Sequence, residues 1–520
     1  MARRKRRNQR NSKRFQTPKV RSQLKAPKQP TTEQRAYEAT SEGRRLGTWD
    51  NPRVSPNQAT STEVDMLRRR SRASVRNNTW IKRALKADLA NEIGTGIKPR
   101  ATTSDKEFNL SLMDLWEMFE PLCDYSGNLG AYGIQWQAAK SRKQDGEVFI
   151  RPIRQRSNRN LPVPLQFQLI EADYVPLGFH RKIQGQNEIK SGVEINSQGK
   201  AVAYYVYPAH PDENNLTYLD LIRIPASDII HHFIPERPGQ LRGIPHGTQS
   251  LVKAYVYDKY DDAELGRKES KANFTGVIRR PDYGEEDYKF DPISGAPLDK
   301  DHADVPMIEM ETGSFPNLLP GEDITLFGGD DAGRGYKDFQ YIQMLAIAAG
   351  WDIPYQIMSG DYTLINDRIW RAIMNQYHRE VEQVQDLFVI AQVCRRMWME
   401  FVNRAILSGA VKKPSFSNNF EHLRSLHRPQ AWKHIHPQQD VAALQAEVEA
   451  GFTSRQSVID KRYNESAEEV DRQREEDQKR EEKLGLKQEF DQDFNNQNGD
   501  QKDAKSDKDS GQTVSKKPQK

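Results

Sequence analysis

At 520 residues the chain is long enough for two or more compact units, and its mean hydropathy of −0.87 with 29% charged residues argues against one dense globule throughout. No apolar run approaches the ~20 residues that cross a bilayer, and the basic N-terminus lacks the apolar stretch of a secretory signal, so a soluble chain made in the cytoplasm, with no membrane partner, is expected. The net charge of +5 is unevenly spread, because residues 1–30 hold twelve Lys and Arg and no Asp or Glu. Such a block repels itself and cannot bury a core, so residues 1–60 read as a disordered basic arm. Contact with a polyanion by counterion release is the functional reading, and a solubilising or targeting tail is the other.

From Glu63 to Glu92 the pattern is helical, with Asn77 and Asn78 able to divide it into two helices. On a wheel of ~100° per residue, Leu67, Ile81, Leu85 and Leu89 share one face, while Arg68, Arg69, Arg72, Arg76 and Arg83 cluster on a separate arc. "GTGIKP" then ends the run, since Gly94 and Gly96 suit a C-cap and Pro99 cannot continue a helix. A second amphipathic helix covers 108–119, and "YGIQWQAAKSRKQDGEVFIRPI" reads as helix, turn at Asp145-Gly146, and strand. Residues 161–235 alternate as strands, with a hairpin turn at Asn196 to Gly199.

A long helix is predicted over 247–273, its Lys253, Lys259, Arg267, Lys268 and Lys271 balanced by Asp258, Asp261, Asp262, Glu264 and Glu269. Residues 277–335 are turn-rich and strand-like, 337–349 helical and apolar, and "GWDIPYQIMSGDYTLIN" a loop because of Pro354 and Gly360. The following stretch from Asp367 reads as one helix of some forty residues, reaching about 60 Å at 1.5 Å per residue. Residues 438–485 are helical and increasingly charged, and the Gln/Asn/Asp/Lys-rich remainder reads as a disordered tail.

Chemistry-bearing motifs are missing. There is no P-loop, dinucleotide fingerprint or nucleophile elbow. His231 and His232 fall on opposite faces of a strand, His434 and His436 have no third ligand nearby, and the acids of "GEDITLFGGDD" read as a solvated turn. Cys123 and Cys394 have no partner at metal or redox spacing and read as buried thiols. No enzyme, metal or cofactor is expected.

The stretches "LRRRSRASVRNNTWIKRAL", "NEIGTGIKP", "DGEVFIR", "QLIEADYV", "IIHHFIPERPGQLRGIPHGTQSLVK", "LPGEDITLF", "LAIAAGWDIPYQIMSGDY" and "HPQQDVAALQAEVEAGFTSRQSVI" together resemble the lambda-type portal proteins (head-to-tail connectors) of tailed bacteriophages, over roughly residues 60–485. Where family members carry a Ser-Ser-Ala-Arg-like run after "GDY", this chain has "TLINDRIWRA", leaving Arg368 for that role.

The resemblance implies a mixed α+β portal fold with long helices around a central channel. It divides the chain into the arm 1–60, a wing 61–246, a stem helix 247–273, a clip 274–335, a second stem helix 336–350, a tunnel loop 351–367, a long helix and wing return 368–437, a crown 438–485 and a tail 486–520. It also implies a dodecameric ring at one capsid vertex of the virion, assembled in the host cytoplasm. Double-stranded DNA would pass through the ring, and the terminase large subunit, the major capsid and scaffolding proteins, and later head-completion and tail connector proteins would be its partners.

A strongly basic bore would grip DNA and stall it, so a charge-balanced stem suits sliding. Lys253, Lys259, Arg267, Lys271 and Arg368 are the candidate channel contacts, and Arg68, Arg69, Arg72, Arg76 and Arg83 the candidate intersubunit residues. On this reading Arg72→Glu impairs assembly before DNA passage. The alternative is a non-portal nucleic-acid-binding protein, monomeric or dimeric, that uses the arm and the Arg-rich helix.

Overall fold

The computed structural model describes residues 52–156, 160–182, 187–213, 220–273, 276–279, 323–326, 336–363, 365–416, 418–432, 436–463 and 465–485. The chain divides into two units, residues 1–55 and 56–520. Of the first, only 52–55 are described, and they form no regular element. Most of the expected arm, most of the expected clip and the expected tail therefore lie outside the described residues.

The second unit opens with α1 (Pro56–Asn77) and α2 (Thr79–Glu92). Asn78 divides them, its side chain accepting the Ile81 amide proton at 3.0 Å as an N-cap. The helix starts at Pro56, so the last five residues of the expected arm are helical. β1 (Lys98–Ala101), α3 (Lys106–Phe119) and α4 (Ala131–Asp145) follow. Gly146 closes α4 in the left-handed region, φ +91°, and releases β2 (Glu147–Arg154).

β2 is the centre of a three-stranded antiparallel sheet, between β3 (Leu165–Ile170) and β8 (Ile230–Phe233). The intervening β4 (Glu188–Lys190), β5 (Val193–Ile195), β6 (Ala201–Val206) and β7 (Ile222–Pro225) form a four-stranded antiparallel sheet in sequence order. The expected hairpin turn joins β5 to β6, with Asn196 Oδ1 accepting from the Gln198 and Lys200 amides. His231 and His232 do point to opposite faces: His231 stacks on Phe149 and bonds Glu147, whereas His232 bonds Gln392.

Next come α5 (Thr248–Asn273), β9 (Gly276–Arg279) paired antiparallel with β10 (Asp323–Leu326), and α6 (Tyr336–Ala349). The segment expected as a loop contains a short helix, α7 (Tyr355–Ser359), started by Pro354 and stopped by Gly360 at φ +75°. The two residues that argued against a helix are its boundaries. From Asp367 to Ser408 the chain is continuously helical, as α8 (Asp367–Val384), a π-helical stretch Gln385–Cys394, and α9 (Arg395–Ser408). β11 (Ser425–Arg428) returns to pair with β1, and the terminal helical region is three helices, α10 (Pro437–Glu449), α11 (Arg455–Tyr463) and α12 (Ala467–Leu484).

Three apolar cores hold these elements. Phe119, Trp116, Trp398 and Phe401 pack where α3, α4 and α9 meet the three-stranded sheet. Ile81, Leu89, Trp351, Met358 and Ile390 join α2, α6, α7 and the π stretch. Phe149, Tyr204, Val206 and Ile224 lie between the two larger sheets. The π stretch has a use here, because its wide turn presents Gln385 and Gln392 to backbone groups. Gln392 accepts from the Phe233 amide at 3.2 Å and donates to its carbonyl at 3.0 Å, closing the free edge of β8. Gln385 donates to the Glu92 carbonyl at 2.7 Å. Both cysteines are buried free thiols, and burial pushes Cys394 up to about 12.

Candidate functional site

The arginine arc of α1 turns inward. Arg68 is 1% exposed and pairs with Glu147, the first residue of β2. Its Nε donates to the Asp145 carbonyl at 2.8 Å. Glu147 is itself fully buried and also accepts from Arg242 Nε (2.8 Å), the Gly243 amide (2.9 Å) and His231 Nε2 (2.9 Å). Arg242 spends its remaining donors on the carbonyls of Ser191, Val175 and Ala172. Burial alone would raise the Glu147 carboxyl, but Arg242 and Arg68 hold it well below its usual range.

One turn along, Arg72 binds Asp145 (2.7 Å), Asp173 (2.5 Å) and Glu171 (2.6 Å). Burial opposes its charge, and Asp145 and Asp173 outweigh that and hold it more firmly protonated. Glu171 and Asp173 lie with His210 so that one donor atom of each falls within 4.8 Å of the others. Arg72 already supplies the cation against both carboxylates, so the trio is an arm of the ionic network.

The backbone is drawn tight around this network. Gly243 passes Gly146 so closely that a Cβ there would lie 2.0 Å from the Gly146 carbonyl oxygen. Gly247, at φ +68°, seats against the Trp351 indole, which a Cβ would meet at 2.5 Å. The His246 amide donates to the Lys143 carbonyl at 2.8 Å and its Nε2 to the Trp351 carbonyl at 3.0 Å. The start of α5 and the end of α6 are thereby pinned to α4.

A second buried network lies beside the first. Glu92 takes both oxygens to Arg142 (2.8 and 2.7 Å) and one to Lys143 (2.8 Å), while Lys143 also binds Asp88. Tyr377 of α8 donates to Asp88 at 3.3 Å. Burial works to raise Glu92, yet Arg142 and Lys143 bring it down to about 2. Burial lowers His232 to about 3, and Arg142 adds to the effect.

The candidate intersubunit arginines thus divide. Arg68 and Arg72 commit their guanidinium groups inside the subunit, because buried cations require carboxylates and the same chain supplies them from α4, β2 and residues 171–173. Arg83 is exposed but donates to the Ile357 carbonyl of α7 at 3.2 Å. Arg69 pairs with Asp65 one turn away, and Arg76 is exposed with no ion pair among the described residues.

The α5–α6 pair is built the opposite way. Leu251, Ala254 and Tyr257 of α5 bury one stripe, and Asp261 accepts from Tyr336 (2.5 Å) and Gln340 (2.9 Å) of α6. On the other side of α5, Val252, Tyr255 and Val256 form a second apolar stripe that faces outward, with Val252 65% exposed, while Tyr260 packs on Phe339 of α6 with ring centres 5.0 Å apart. Ile342 and Leu345 of α6 are likewise exposed, Ile342 by 59%. Lys259 lies over the Tyr255 ring at 4.7 Å, and Arg267 pairs with Glu264. Lys253 and Arg368 are exposed. Lys271 lies in the last turns of α5, and its side chain is outside what is described.

The model of the lambda family of phage portal proteins matches residues 42–385. A protein of Halomonas phage phiHAP-1 named "Probable portal protein" is 24% identical over 442 residues, 81% of this chain and 82% of that one. The "Portal protein B" of Escherichia phage lambda is 24% identical over 257 residues, 45% of this chain and 47% of its own. Among solved structures, a chain in "Neck of native GTA particle computed with C12 symmetry" is 14% identical with a TM-score of 0.44, covering 76% of this chain and 92% of that one. The family match spans well over half of the sequence and takes in both buried networks and the α5–α6 pair, so the chain belongs to the lambda family of phage portal proteins.

Proposed function

We propose that this portal protein assembles as a closed ring of identical subunits, a dodecamer, at one vertex of the capsid, and that double-stranded DNA passes through the ring during packaging and ejection. The observation that carries the reading is the second apolar stripe of α5, on the side opposite its buried face. A helix that is apolar on both sides wants a partner on each, and covering a large apolar side chain contributes about 1.5–3 kcal/mol. A head-to-tail contact between neighbouring copies supplies that cover and closes into a ring. In this reading α5 and α6 are the stem, residues 351–367 a tunnel loop, residues 274–335 the clip that meets the terminase large subunit, and α10 to α12 the crown. Capsid, scaffolding and head-completion proteins are the further partners.

The balanced charges of α5 fit a conduit, since DNA carries one charge per ~1.7 Å and a bore of unpaired cations would hold it. Lys253, Lys259, Arg267, Lys271 and Arg368 are the residues proposed to touch phosphates without sequence preference. Arg69 and Arg76, still outward-facing, are the arginines left for contacts between subunits. Family membership displaces the alternative of a non-portal nucleic-acid-binding protein.

The test is the mass of the purified chain by size-exclusion chromatography with light scattering, with negative-stain images. Ring particles many times heavier than the 59.9 kDa subunit are expected. A stable monomer under assembly conditions contradicts the proposal.

A further inference from the structure

α2 sorts its charges by sign. Both of its carboxylates, Asp88 and Glu92, are buried in the second network. Its three cations, Lys82, Arg83 and Lys86, are exposed and share an arc about 100° wide. Exposed Arg76, in the last turn of α1, continues the same sign. Lys82, Lys86 and Arg76 have no ion pair among the described residues, and Arg83 gives its Nε to a carbonyl. A surface of one sign with no counter-charge beside it in its own subunit suits an anionic partner.

α3 does the reverse. Its outer arc carries Glu107, Asp114 and Glu117, all exposed and without an ion pair among the described residues. Its single cation, Lys106, is engaged by Glu468 at 2.9 Å. Leu110 and Met118 stand among these acids, 56% and 57% exposed, and Leu122 and Tyr125 just beyond the helix are exposed too. Phe108, Leu112, Leu115 and Phe119 face the core from the opposite arc. The helix therefore bares an apolar strip rimmed by carboxylates, the kind of surface that a partner covers.

Each strip supplies what the other lacks. Lysine and arginine carry their charge on aliphatic stems, which cover apolar side chains while the heads reach carboxylates. A cation over the Tyr125 ring adds attraction. Nucleic acid fits the cations of α2 but leaves α3 bare, whereas a second copy of this chain answers both strips at once. The strips are also separate patches of the subunit. α2 belongs to the core around Trp351 and α3 to the core around Phe401, and α4 contributes Ala139 to the first and Ile134 and Ala138 to the second. Two different and complementary patches on one subunit are what a head-to-tail contact requires.

We propose that the cationic strip of α2 in one subunit packs on the acidic, apolar strip of α3 in the next, with Lys82 and Lys86 against Asp114 and Glu117. The inference rests on the ring reading and adds a second pair of contacting surfaces to the α5–α6 stripe.

The test uses the full chain. Wild type, Lys82→Glu with Lys86→Glu, Asp114→Lys with Glu117→Lys, and the combination of all four are compared by light scattering over a concentration series. Each double reversal should raise the concentration at which half of the chain is in rings about tenfold or more, because like charges then face each other. The combined variant should return toward wild type. All four positions are exposed, so circular dichroism should match throughout. Carbodiimide treatment of rings mixed from unlabelled and heavy-nitrogen-labelled subunits should join Lys82 or Lys86 of one label to Asp114 or Glu117 of the other. Wild-type assembly in either double reversal, or a combined variant no better than the doubles, overturns the proposal. So does a loss of affinity for duplex DNA with no change in ring yield, which assigns the cations to phosphate. A wild type that stays monomeric sinks the ring reading and this contact with it, whereas wild-type rings indifferent to the reversals sink the contact alone.

Discussion

α1 and α5 are both amphipathic by sequence, and they resolve in opposite senses. α1 carries an arginine arc that reads as a solvent or partner face, yet Arg68 is buried and Arg72 nearly so. α5 reads in the sequence as a long helix with a balanced set of charges, yet Val252, Tyr255 and Val256 form an apolar stripe on it that faces outward. Charge is therefore a poor guide to exposure where carboxylates distant in sequence converge on it. Apolarity is a poor guide to burial within a single subunit, and the proposed ring would give the α5 stripe its cover.

The comparison breaks most sharply at the hub of the α1 network. Glu147→Gln removes the charge that Arg68 and Arg242 share, and should cost about 3–5 kcal/mol because Arg242 loses its carboxylate and Arg68 keeps only Asp173, at 3.6 Å. Urea denaturation of the soluble subunit should show the loss, and an unchanged midpoint would mean that the network is not a unit. Arg72→Glu should act next, through the fold rather than through assembly. It places a carboxylate beside Asp145, Asp173 and Glu171, so a lowered thermal midpoint of the isolated subunit is expected.

Acid tests the second buried network. Glu92 is held at about 2 against an ordinary 4.5, so its contribution is present above pH 4.5 and is lost as pH falls toward 2. His232 is held neutral down to about 3 against an ordinary 6.5, so protons favour the unfolded chain from pH 6.5 downward. Both shifts have the same sign. Stability measured by denaturant should fall steadily from pH 6.5 to 3, and a rise over that range would contradict the assignment. The smallest effect belongs to Arg69→Ala. Its exposed pair with Asp65 should contribute at most about 0.5 kcal/mol to the subunit, which leaves any larger change in ring mass attributable to contact between copies.

How much was legible follows from the range of the interactions. The division at Asn78, the turn at Asp145-Gly146, the hairpin at Asn196 and the opposed His231 and His232 rest on local rules and were readable. The extents of α5 and α6 were readable too, being long periodic runs. The partners of Arg68 and Arg72 were not, since they lie 73 to 101 residues away in the sequence. One signal pointed to them: Glu147 opens the apolar run "EVFI", and a carboxylate at the mouth of a buried strand calls for a cation. α7 was hidden because a single turn of helix leaves no period. The π stretch was hidden because its hydrogen bonds do not change the residue pattern.

The most direct test of the account is the mass of the double variant Val252→Asp and Ile342→Asp beside the wild type. Both side chains are outward in the subunit, so its stability should change little, about 0.5 kcal/mol or less, and circular dichroism should match. The account predicts rings for the wild type and folded single subunits of about 59.9 kDa for the variant. Rings of unchanged mass and yield from the variant would contradict it.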